Sequence, residues 1–225
     1  MSEVKTNGLA NKSRGEETRQ KLLLVGARLF AVNGFKGVSM RNLAKEADIN
    51  IATVGYHFGG KLGLYEAILQ DVIDHRHDFF PSREDLAAQI TMLESSEISK
   101  SGLVRWYFGF IINAIIADPQ IEWASLIISR ELAAPSELYP LLERDLFTPS
   151  FEGLTVLLGA AVGGNVSLEE RSIMGIALMG MVFKYAHPRM VLSRIGWEEY
   201  TPENIAKVTD VLCRRIIGFV GCEEA

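Results

Sequence analysis

The sequence predicts an all-α protein, and three observations carry that expectation. Apolar residues recur three and four apart along most of the 225-residue chain, no segment alternates apolar and polar residues as a half-buried strand would, and the prolines fall at the joints between periodic segments. A hydrophobic content of 48% is ample for a real core in one or two domains.

Residues 1–15 hold no apolar run of signal-peptide length, and Lys5, Lys12 and Arg14 stand among Ser, Asn and Gly, so they read as a flexible arm. Thr18–Val32 follows, with Leu22, Val25, Leu29 and Phe30 at helical spacing and Asn33-Gly34 as a stop. Ser39 is a good N-cap, and Leu43, Ala44 and Ala47 give the next short helix a small apolar face. Asp48 tolerates a left-handed backbone at the turn, and Asn50 can cap a second short helix, Ile51–Phe58. Two short helices about a three- to four-residue turn form a helix-turn-helix, which Thr18–Val32 braces.

Gly60 to about Asp78 forms a connecting helix on Leu64, Ile68, Leu69, Val72 and Ile73, ending before Pro81. Ser82–Ser96 is weakly amphipathic, and Leu103–Ala117 and Ile121–Ala134 are strongly apolar, each closed by a proline. Pro140 and Pro149 should break the next stretch into short pieces before Phe151–Val162. Glu169–Ala186 and Glu203–Val220 complete nine or ten helices, separated by His187-Pro188 and a loop around Gly196.

The stretch GFKGVSMRNLAKEADINIATVGYHFGGKLGLYEAIL resembles the DNA-binding domain of the TetR (tetracycline-repressor-like) family, over about Glu17–Leu69. Its most telling part is Tyr56-His57-Phe58-Gly59-Gly60-Lys61 with Leu62 and Leu64. Most members carry a tyrosine where Gly55 stands in Thr53-Val54-Gly55-Tyr56, and the present order is similar to that of the CecR-like subgroup. The segment ISREL…P…LLERDLFTP resembles the CecR-type C-terminal domain. The resemblance implies a DNA-binding domain at residues 16–60 and a helical ligand-binding and dimerisation domain at 61–225. It implies a homodimeric repressor released from a roughly palindromic duplex by a small organic effector, with no cofactor, and the lack of a signal-peptide or membrane-length apolar run leads to the expectation of a soluble, cytoplasmic protein. The alternative is a DNA-binding protein whose body serves only assembly or protein partners.

Charge agrees with contact through one end. The net charge is −5, yet Lys12–Lys61 holds nine Lys/Arg against four acids, a net of +5 that leaves −10 for the rest. On the recognition stretch, Lys61, Tyr56, His57, Thr53 and Ser39 can reach phosphates, whereas Arg41, Asn50, Ile51, Ala52 and Gly55 are placed nearest base edges. Phe58 is expected in the core.

Other chemistries fare poorly. Asp71 and His75 stand four apart with Asp74, His77 and Asp78 nearby, but such a set at the end of a connecting helix is ordinarily a solvated face. Cys213 and Cys222 share a terminal helix at a spacing that suits neither a metal nor an internal disulfide. No phosphate-binding glycine loop or nucleophile elbow appears, so an enzyme is not expected. The longest uncharged runs fall short of the ~20 residues of a membrane span.

An effector pocket is expected between two stripes, Trp106, Phe110 and Asn113 on one helix and Trp123, Ile127 and Arg130 on another. A dry core explains the aromatics equally well, but Asn113, Arg105 and Arg130 each need a polar partner that a ligand can supply, an internal glutamate such as Glu122 or Glu131 serving equally well for Arg130. Leu69, Val72, Ile73 and Arg76 on the connecting helix would sense the ligand and re-aim the recognition helices. Dimerisation is expected through Phe151, Leu154, Leu158, Gly159, Val162, Ile176, Met179 and Phe183, with Gly159 and Gly163 four apart for close approach.

Overall fold

A computed structural model describes residues 3–117, 119–162 and 166–222, with 3–14 and 119–121 described by backbone alone. The described residues form helices joined by short turns and loops and contain no strand. Two compact units emerge, a head of Met1–Val72 with Leu126–Tyr139 and a body of Ile73–Ser125 with Pro140–Ala225.

In the head, α1 (Glu3–Gly37) is broken near its end at Gly34, whose φ of 70° is the left-handed conformation expected of the Asn33-Gly34 stop. The helix starts at Glu3, so most of the expected arm enters α1, since extending an existing helix costs far less than nucleating one. α2 (Met40–Glu46) and α3 (Ile51–Phe58) follow, then α4 (Lys61–Asp74), which gives way to a 3₁₀ turn at Arg76–Asp78. Leu22, Phe30, Leu43, Val54, Leu64 and Leu69 are sealed from solvent and form the head's core. A Cβ on Gly26 would lie 2.9 Å from Ile68 and 3.1 Å from Leu64, so α1 and α4 touch almost backbone to side chain.

The sequence placed the boundary at 60/61, but the head also takes the C-terminal half of α7 (Pro119–Ala133). Arg130 explains the capture. Its Nε donates to the Ala31 carbonyl at 2.6 Å and its Nη2 to that of Val32, satisfying acceptors beside the break in α1. Next to it, Glu131 is 2% exposed, accepts from the Tyr65 hydroxyl at 2.7 Å, and takes the Ser136 N–H and hydroxyl on its other oxygen. Tyr65 in turn packs on Phe30 and Phe35. Burial, then the Glu131 bond, push the Tyr65 phenol well above its ordinary pKa, which keeps it a donor.

In the body, α5 (Arg83–Glu94), capped by Ser82, packs beside α6 (Lys100–Ala117), and α6 runs along α12 (Pro202–Val220). Leu103, Phe108, Ile111, Ile112, Leu157 and Ile216 are fully sealed in its core. Pro140 and Pro149 do not scatter the chain as expected. Pro140 sits in the opening turn of α8 (Tyr139–Leu142), where a missing N–H costs little, and a π turn at Glu143–Phe147 runs without a gap into α9 (Thr148–Val162), which carries Pro149 just after the wider turn. α10 (Leu168–Phe183) packs on α9, with Gly175 seated against Leu154. The loop expected before Gly196 is instead α11 (Pro188–Ile195), begun by a proline and closed by Gly196 in the left-handed region, so the described helices exceed the nine or ten expected.

Candidate nucleic-acid interface

The turn of the helix-turn-helix is held by its own caps. Ser39 Oγ accepts from the Asn42 N–H at 3.1 Å and Asn50 Oδ1 accepts from the Ala52 N–H at 2.9 Å, so both side chains satisfy orphan donors at helix starts. Between them Asp48 adopts φ 51°, the left-handed residue expected there. Buried Leu43, Ala47 and Val54 lock α2 against α3, which leaves one face of α3 in solvent.

That face is Ile51, Ala52, Gly55 and Tyr56, all exposed, the tyrosine by 86%. The two positions without a long side chain, Ala52 and Gly55, let the helix backbone approach a surface closely. Arg41 on α2 is also exposed. Thr53 and His57 are half-buried on the flanks, and His57 sits between the Tyr56 and Phe58 rings. Phe58 is likewise half-buried, with the Arg19 guanidinium 5.3 Å from its ring centre. Arg19, which no local motif marks as a DNA-contacting residue, therefore presents a cation from α1 beside the end of α3.

Lys61 differs most from expectation. Its ammonium donates to the Phe35 carbonyl at 3.0 Å and lies 4.3 Å from the centre of the Phe35 ring. It ties the start of α4 to the segment before α2, so its first duty is to position the helix-turn-helix. The approach to α4 is equally constrained. Gly59 caps α3 at φ 70°, and a Cβ on Gly63 would collide with the Phe58 carbonyl oxygen.

The expected effector residues divide between the units. In the head, Leu69, Val72 and Ile127 are buried and Arg130 serves the α1 carbonyls, as described above. In the body, Ile73 is buried, Arg76 and Trp106 are half-buried, Phe110 is 38% exposed, and Trp123 is half-buried on α7. Each polar group that was to need a ligand has a partner in the chain: Asn113 donates to the Gly109 carbonyl and Arg105 pairs with Asp210. Among the expected assembly residues, Leu154, Leu158 and Met179 are spent in the body's own core, because α9 and α10 pack on one another through them. Phe151, Val162 and Phe183 pack partly against that core, Gly159 and Ile176 are exposed, and Gly163 lies outside the described residues. Among the described residues no group of His, Cys, Asp or Glu is arranged to hold a metal, and no single helix is long and apolar enough to cross a membrane.

Comparison with known proteins matches two separate stretches of the chain. Residues 22–68 match the model of the bacterial regulatory proteins of the tetR family, and residues 107–220 match that of the C-terminal domain of the HTH-type transcriptional dual regulator CecR. The chain is 25% identical over 199 residues to the HTH-type transcriptional dual regulator CecR of Shigella flexneri, covering 88% of each. In fold it is similar to HlyIIR, a haemolysin II transcriptional regulator, with a TM-score of 0.60 at 19% identity, covering 91% of this chain and 97% of that one. It is also similar in fold to the ketosteroid transcriptional regulator KstR2 of Mycobacterium tuberculosis, with a TM-score of 0.61 at 14% identity, covering 89% and 93%.

Proposed function

Because the chain belongs to the TetR family of DNA-binding transcriptional regulators, with a CecR-type C-terminal domain, we propose that it is a repressor that holds a two-fold operator as a homodimer and releases it when a small organic ligand binds. The observation that carries the DNA reading is the exposed face of α3, Ile51, Ala52, Gly55 and Tyr56, presented by a turn whose caps are both made. In this reading α3 enters the major groove, Ala52 and Gly55 admit the backbone close to base edges, and Ile51 offers an apolar contact to a thymine methyl. Tyr56, Thr53 and His57 supply phosphate contacts, and exposed Arg41 reads a base. Ser39 and Asn50 act mainly as caps, and Arg19 joins the phosphate set.

One short helix makes too few contacts for specificity, and two-fold pairing doubles them. The surface that favours pairing is the outer face of α10, where Ile173 is 61% exposed, Ile176 62% and Met181 37%, together with exposed Gly159 on α9 and Gly180 on α10. So much apolar surface along one helix marks an interaction site. The interface is accordingly assigned to these outward residues rather than to Leu154, Leu158 and Met179.

For the ligand, family membership and the groove-bearing helical body support the reading over a body that serves assembly alone. Ligand and operator would then oppose one another by a coupling free energy of typically 1–3 kcal/mol, with equal effect in both directions. Selection of bound duplexes from a random library tests the DNA reading. Wild-type protein should enrich a two-fold motif, and Arg41→Ala should relax one position of each half-site. A library that returns unenriched would remove it. Thermal denaturation against a small-molecule collection tests the ligand arm, since a ligand at a hundred times its Kd adds ~2.7 kcal/mol to the native state.

A further inference from the structure

The body contains a groove that the expected effector stripes do not touch. It runs between α5 and the wall formed by the π turn and α9, encloses about 960 Å³, and ends at Leu168. That volume suits a drug-sized molecule. Its floor is apolar and aromatic, from Leu86, Ile90, Phe147 and Phe151.

Its charge is one-sided. Arg83, the one cation of the lining, is paired with Glu152, and Glu94 and Glu143 add two further carboxylates, so the lining carries a net charge of −2. The wall is also unusual in its backbone. The single π turn among the described residues is Glu143–Phe147, and its first and last residues, a carboxylate and an aromatic ring, both line the groove. Residues four apart stand on roughly the same side of such a turn, so Glu143 and Phe147 face one groove. Such turns concentrate at functional sites. Aromatic rings and uncompensated net negative charge lining one apolar groove are what a delocalised organic cation requires.

We propose that this groove binds an amphiphilic organic cation, with its rings against Phe147, Phe151 and Ile90 and its positive charge at Glu143 and Glu94. The inference names a site and a ligand class that the regulatory reading leaves open, and it concerns binding by the body alone, whether or not that binding releases DNA.

The test is fluorescence polarisation of the full chain with rhodamine 6G as the cationic probe and fluorescein, built on the same ring system, as its anionic counterpart. Rhodamine 6G should saturate and fluorescein should not. Glu94→Gln with Glu143→Gln, both at exposed positions, should weaken rhodamine binding about tenfold, whereas Trp106→Ala, outside the groove, should leave it unchanged. Phe147→Leu should weaken it as well, with an unaltered circular-dichroism melt showing that the fold persists. Equal affinity for the two dyes, or a double variant that binds rhodamine as tightly as wild type, would overturn the proposal. Leu168→Lys turning a dimer into a monomer in sedimentation would also overturn it, since the groove would then be the seat of a second copy. Protein that binds rhodamine but enriches no duplex keeps this site and loses the regulatory reading, and protein that does the reverse loses the site.

Discussion

A methyl group added at Gly63 would meet the carbonyl oxygen of Phe58, and that oxygen belongs to the end of the recognition helix. Backbone cannot step aside as a side chain can, so Gly63→Ala must push α4 and α3 apart. We expect a loss of about 1–3 kcal/mol in stability and operator affinity lower by about tenfold, read by thermal melt and by gel retardation. A few residues away, Tyr65→Phe removes one bond to Glu131 and leaves a buried carboxylate oxygen short of a donor, at a cost of about 1–3 kcal/mol. A melt unchanged within a few tenths of a kcal/mol would show that Glu131 finds another partner. In the body, burial pushes the Cys213 thiol up to about 11. At pH 8 only about one thiol in a thousand would be thiolate, so iodoacetamide should leave Cys213 unmodified in native protein and label it in urea. Because the folded state holds this proton more tightly than the unfolded chain, the associated stability is present below about pH 9 and is lost as pH rises toward 11.

At the scale of elements, the sequence was clearest where local chemistry decides. The caps at Ser39 and Asn50, the left-handed Asp48 and the stop at Gly34 are set by their own side chains and neighbours, and each stands where the residues predicted it. Lys61 was harder to read. Its place after two glycines said that it begins a helix, but its partner is a carbonyl twenty-six residues earlier, which no local pattern reveals. Lys61→Ala is therefore expected to lower stability by about 1 kcal/mol as well as DNA affinity for all sequences alike, and a pure phosphate contact would do only the latter. The π turn has no local signature either: Pro140 and Pro149 signal interruption, yet the chain stays helical from Tyr139 to Val162, with the π turn directly before the segment that holds Pro149. On α9 and α10 the apolar composition was legible, but which side faces inward depends on how the two helices meet. Ile176→Glu, at an exposed position, should raise the dimer dissociation constant about a hundredfold or more without disturbing the monomer's fold. Sedimentation unchanged by it would move the interface elsewhere.

At the scale of the molecule, the fold class and the recognition unit were written in periodicity and in the Tyr56–Lys61 tail, whereas the membership of Leu126–Tyr139 in the head was not. That segment joins through Arg130 and Glu131, of which the sequence offered Arg130 as a group in need of a partner and Glu131 as one candidate for it. Those partners turned out to be main-chain carbonyls near Gly34 and the Tyr65 hydroxyl, which makes the two residues fasteners of the DNA-binding unit. In the proposed repressor that unit presents the outer face of α3 twice to one duplex. Footprinting on the library-selected duplex at ~150 mM salt tests this most directly. Two protected half-sites should appear about one helical turn, ~34 Å, apart, related by two-fold symmetry and lost together in Ile176→Glu. Protection that is single, or that spreads over every sequence alike, would contradict it.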